Sequence, residues 1–235
     1  MGIESRYRDV LEQVESCTRA CGRDPHEVKL VAVSKTVGLE GVASALAGGA
    51  VDFGENRPDQ ILVKSKEYPQ ANWHFIGNIQ SRRIPDIVAS SSLIHSLYQL
   101  SHARKIDEEA LSLGKVQDVL VEVNVSGEES KSGLAPQDVI PFVLECAELQ
   151  NVRLRGLMTM APQGDAQVAK ACFDGLAQLA CEVREALPAE KASVFSELSM
   201  GMSEDWNEAI SSGATIVRIG RAIFSDNFED VDMVR

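Results

Sequence analysis

The chain passes eight times from a short apolar, largely β-branched run to a segment whose apolar residues recur at helical spacing. The runs cover residues 28–35, 51–54, 72–77, 93–97, 118–125, 152–160, 194–199 and 215–219. Helical stretches follow at 40–47, 59–67, 81–89, 99–113, 136–149, 167–187 and 203–212, and residues 221–224 turn away from the last run. A run that is apolar throughout reads as a strand covered on both faces. Such strands pair in parallel, and parallel neighbours need a long crossover, here a helix. Punctuation agrees: Pro136 sits at a helix start and Gly114 just past a helix end. Eight units in 235 residues predict an α/β fold, a single (β/α)8 TIM-type barrel forming one domain over residues 1–235. A further helix at 4–20, with Val10, Leu11 and Val14 on one side, precedes it. An open doubly wound sheet shares the alternation, but its first turn usually carries a glycine-rich dinucleotide fingerprint. Here that turn reads Ser34-Lys35-Thr36-Val37-Gly38.

The net charge of −12, from 23 basic and 35 acidic residues, repels phosphate backbones at long range and argues against nucleic-acid binding. No apolar run approaches a membrane span, and the polar N-terminus lacks a signal-peptide core. The five cysteines show no C-x-x-C pair and no partner histidines for zinc. Reduced thiols in a cytoplasmic protein are expected.

In a barrel, functional groups gather where strands end. The first strand exits at Lys35, an odd place for an ammonium unless it reaches water or has a task. If partly desolvated, such an amine becomes a nucleophile toward carbonyls; otherwise Lys35 is a solvated strand-end residue. The loops after strands seven and eight hold Gly201 and Ser203, then Gly220 and Arg221. Glycines let the backbone approach a ligand, and barrels often bind phosphate at this point. Ser203 reads equally as a plain helix N-cap, and Glu204 and Asp205 are expected to face solvent. A phosphate cradle opposite a strand-end lysine is the arrangement pyridoxal 5'-phosphate (PLP) requires. Arg218 shares a strand face with Gly220 and is placed to meet the ring nitrogen, where a permanent cation disfavours ring protonation. The other reading of Arg218 is a buried salt bridge with Glu122 or Glu197.

The chain resembles the pyridoxal phosphate homeostasis proteins, a family related to the N-terminal barrel of alanine racemase. The resemblance rests on LVAVSKT at 30–36, FGENR at 53–57, HFIGNIQ at 74–80, KSG at 131–133, RGLM at 155–158, LSMGMSED at 198–205 and VRIGRAIF at 217–224. It implies a Schiff base on Lys35, phosphate binding by Ser203, Gly220 and Arg221 with the Met202 amide, Arg218 at the ring nitrogen and Asn56 at the rim. It also implies a protein that binds, buffers and delivers PLP, with apo-PLP enzymes as recipients and no established catalytic residue. No apolar helix stripe exceeds what barrel packing needs, so a monomer is expected. The alternative is a PLP-dependent racemase or lyase of low activity. Related racemases take a second base from a tyrosine in a separate C-terminal domain, which this chain is expected to lack. Departures from the family pattern occur at Arg82-Arg83, Leu97-Tyr98 and Ser225.

Overall fold

Each apolar run forms a parallel strand, and the eight strands close on themselves in sequence order. They are β1 (Lys29–Val33), β2 (Asp52–Glu55), β3 (Asn72–Phe75), β4 (Leu93–Leu97), β5 (Gln117–Glu122), β6 (Val152–Met158), β7 (Glu197–Ser199) and β8 (Ile216–Ile219). The closing pair β1–β8 sets Val31 beside Arg218 and Ala32 beside Ile219. This computed structural model describes residues 2–128 and 130–226. The last nine residues of the expected domain, 227–235, lie outside the described residues, as does Met1.

The helices are α1 (Ile3–Ala20), α2 (Leu39–Ala47), α3 (Pro58–Glu67), α4 (Ile84–Ser90), α5 (Leu100–Ser112), α6 (Pro136–Cys146), α7 (Ala166–Ala186), α8 (Ala189–Val194), α9 (Trp206–Ser211) and α10 (Arg221–Phe224). The outward faces of the strands and the inner faces of these helices share one apolar core, with Phe53, Phe75, Ile61, Phe173 and Leu176 fully buried. The extra N-terminal helix has a structural reason. The helix after β8, α10, has four residues, too few to cover the outer face there. α1 packs against α2, α9 and α10 and buries Tyr7, Val10 and Val14.

The barrel interior is different. Its apolar part is a small separate cluster of Val31, Leu93, Leu120, Met158 and Ile216. The buried polar set Asp52, His74, His95, Ser199 and Arg218 comes from the strands as well. A barrel centre is ordinarily filled by branched aliphatic residues. Here polar side chains hold part of that volume, and each needs a partner.

Several boundaries depart from the sequence expectation. β1 stops at Val33, so Lys35 lies in the following turn and not on the strand. Residues 81–83 form a 3-10 turn before α4. Strands five and six end at Glu122 and Met158, short of 125 and 160. Val194 belongs to α8, not to the seventh strand, because Pro188 starts a helix that a short apolar run cannot announce. α9 begins at Trp206, three residues after the expected start at Ser203. One glycine is obligatory by contact: Gly156 has φ +155, and a Cβ there would lie 1.8 Å from the Glu197 carbonyl oxygen.

Candidate functional site

The C-terminal ends of the strands open onto a cavity of about 1050 Å³. Lys35, Asn56, Ser203, Arg218, Gly220 and Arg221 all line it, drawn from separate loops and strand ends. Topology brings them together, because parallel strands in a closed barrel put all their C-termini on one rim.

Lys35 is exposed, so the desolvation considered for it from sequence is not met here. What fixes its turn lies beneath it. Ser34 is fully buried and donates to Glu55 Oε1 at 2.9 Å. Lys64, reaching in from α3, donates to the Ser34 carbonyl at 2.9 Å and pairs with the same Glu55 oxygen. Lys64 and Glu55 are 2% and 0% exposed. A buried ion pair therefore grips the peptide immediately before Lys35. Asn56, next to Glu55, is crossed closely by the β3 exit: a Cβ on Gly77 would meet the Asn56 carbonyl oxygen at 2.1 Å.

Arg218 is buried, and its guanidinium donates through Nη1 to Ser199 Oγ and through Nη2 to the Thr159 carbonyl at 3.0 Å. Burial lowers its pKa to about 10, opposed by the charges of Asp205 and Glu122, so it stays cationic near neutrality. The alternative salt bridge is not how Arg218 is held. Glu197 instead accepts from Thr215 Oγ1 at 2.6 Å and faces Arg155 at 3.8 Å.

Glu122 lines the same cavity, 2% exposed, with Oε2 lacking a hydrogen-bond partner. Burial pushes its carboxyl up to about 7, against the pull of Arg218. From the sequence Glu122 enters only as a partner for Arg218. The signal for more is an acid at the last position of an apolar strand.

The loop after β7 corrects two expectations. Asp205 is buried and not solvent-facing, and its Oδ1 accepts from the Met202 amide at 2.6 Å. That amide is thereby engaged within the loop, and Ser203 lies in the turn before α9 and not at its N-cap. Burial raises the Asp205 carboxyl, opposed by the Met202 hydrogen bond and by Arg218. Glu204 does lie outside, where it pairs with Arg221 at 2.6 Å. Gly201 has φ +92, and a Cβ there would press on Ala209 at 2.6 Å, so the turn onto α9 admits only glycine. At β8, a Cβ on Gly220 would meet the Val33 carbonyl at 3.1 Å, which keeps the rim narrow between β8 and β1.

Residues 11–227 match the family model described as alanine racemase, N-terminal domain. The chain is 39% identical over 225 residues to the pyridoxal phosphate homeostasis protein of Pseudomonas aeruginosa, covering 94% of each. This chain belongs to the pyridoxal phosphate homeostasis protein family. Two solved structures extend the family likeness. A protein of unknown function from Bifidobacterium adolescentis is 31% identical with a TM-score of 0.86 over 94% of both chains. The PipY protein of Synechococcus elongatus, in a structure with PLP bound, is 30% identical with a TM-score of 0.81, covering 94% of this chain and 99% of that one. Among the described residues, no helix of this family member is long and apolar enough to cross a membrane.

Proposed function

We propose that this chain binds pyridoxal 5'-phosphate at the C-terminal mouth of its barrel, holds it covalently on Lys35, and serves in intracellular PLP homeostasis as a carrier. The observation that carries the reading is the meeting of Lys35, Asn56, Ser203, Arg218, Gly220 and Arg221 on one cavity. The names and the bound PLP of its relatives support it. The residues fit the group on physical grounds. Gly220 brings bare backbone to the lip, and Arg221 and Ser203 offer a cation and a hydroxyl to a phosphate. For Arg221 to do so it exchanges Glu204 for the phosphate, a small change because that pair is exposed. Arg218, a donor only, faces a pyridine nitrogen as acceptor and disfavours its protonation. The cofactor supplies an aldehyde: the Lys35 amine adds to it, a C=N bond forms, and water leaves. In this reading the whole chain, residues 1–235, acts as one monomeric cytoplasmic unit, and apo-PLP enzymes are the recipients.

Adding PLP to the purified protein is expected to produce a visible absorption band. Borohydride reduction and peptide mapping should then place the label on Lys35, and Lys35→Ala should abolish both. Absence of a band in the wild-type protein overturns the assignment. A racemase or lyase is the competing reading. Turnover of any L-amino acid at about 1 per second or faster would establish it.

A further inference from the structure

Five buried side chains join into one line of hydrogen bonds through the barrel interior. Asp52 Oδ1 lies 3.0 Å from His74 Nε2, and His74 Nδ1 lies 2.8 Å from His95 Nε2. His95 Nδ1 lies 2.9 Å from Ser199 Oγ, which accepts from Arg218 Nη1. The line begins at the first residue of β2 and ends at the cavity.

With both rings neutral, the carboxylate end fixes every proton in between, and the guanidinium end is compatible with that order. A guanidinium only donates and a carboxylate only accepts. Ser199, taking a hydrogen from Arg218, turns its own toward His95 Nδ1. His95 then carries its proton on Nε2 and donates to His74 Nδ1, and His74 donates from Nε2 to Asp52. Both imidazoles are neutral. Burial pushes both below the ordinary histidine range, and the nearby charges of Lys29 and, for His95, Arg218 act in the same direction. Asp52 and Glu197 pull His74 the other way without outweighing burial. Asp52 is further secured by Asn72 Nδ2 at 3.1 Å. Burial raises its carboxyl, but His74, Lys29 and Asn72 together bring it below the ordinary aspartate value, so it is an anion at neutral pH.

We propose that Asp52, His74, His95 and Ser199 are positioning residues that lock the Arg218 guanidinium in a single orientation, with its remaining N–H groups directed at the cavity. A line that ends on arginine carries no proton to the site, because its last member is a poor proton donor at neutral pH. What it transmits is direction. That the group facing Arg218 is the PLP ring nitrogen rests on the proposed function; the locking itself does not.

Two experiments separate these. On the protein without PLP, 15N NMR is expected to show His74 and His95 as neutral Nε2–H tautomers at about pH 7.5. Arg218 should give distinct Nη1 and Nη2 signals, and these should merge in Ser199→Ala while persisting in Ser199→Thr, which keeps the hydroxyl. On the protein with PLP, Ser199→Ala should weaken binding about tenfold, because a guanidinium that has lost a buried partner no longer holds one orientation. It should also shift the visible band, and Ser199→Thr should restore both. A Nδ1–H tautomer at either histidine, or merged Arg218 signals in the wild type, overturns the locking. An unchanged band and affinity in Ser199→Ala overturns the claim that the locked guanidinium faces the PLP ring. If the wild type gives no band, the PLP reading falls while the NMR result still decides the locking.

Discussion

Lys64→Met is expected to destabilise the protein by about 3–5 kcal/mol, because it strips the counter-charge from a carboxylate that is out of water. Glu55 is fully buried, its Oε2 has no partner, and its Oε1 is shared by Lys64 and the Ser34 hydroxyl. Without Lys64 the carboxylate keeps one neutral hydrogen bond. The Ser34 carbonyl loses its donor as well, so the turn that presents Lys35 loosens. Urea unfolding measures the first effect, and the rate of band formation with PLP measures the second. Combining Lys64→Met with Glu55→Leu should recover most of the stability, since an apolar pair of similar volume avoids desolvating charge. A loss under about 1 kcal/mol in the single variant would mean that water reaches the pair.

The second large effect depends on pH. Glu122→Gln should stabilise the protein at pH 8 by on the order of 2 kcal/mol, and by almost nothing near pH 4.5. The folded carboxyl is raised to about 7 from 4.5. Between those values the folded state binds a proton that the unfolded state has released. Stability therefore falls as pH climbs through that window, and above it a buried carboxylate faces an unfavourable site. Glutamine is neutral throughout and escapes the loss. A tenfold difference in proton affinity between the folded and unfolded states is worth about 1.4 kcal/mol, and contact with the open cavity keeps the effect below the ceiling this sets. Thermal melts of both proteins from acid to pH 8 give the comparison. A gap between the two proteins that stays constant with pH would show that Glu122 titrates normally.

The residues that the chain's local pattern reveals share one property. Lys35, Asn56 and Gly220 each lie just past the end of a strand and Arg218 one residue before one, and in a parallel closed barrel every such end reaches the same rim. Periodicity plus topology is enough. The residues it conceals are those whose role depends on a distant partner. Lys64 has the pattern of a surface lysine on an amphipathic helix, yet it is 2% exposed and meets Glu55. Asp205 has the position of an acid suited to a helix's first turn, yet it turns inward to the Met202 amide. His74 and His95 interrupt apolar strands without indicating that they touch each other.

From the order of residues alone come the eight strand–helix repeats, their closure into a barrel, the shared rim, the strand-end lysine and the glycine-flanked basic strand end. These follow from where apolar side chains recur, which is a local property. Only the tertiary structure decided which buried polar group meets which: Lys64 with Glu55, His95 with Ser199 104 residues away, Ser199 with Arg218. The reason is physical. A buried donor or acceptor must find a partner somewhere, but nothing in its own neighbourhood along the chain says where, and barrel closure supplies the answer.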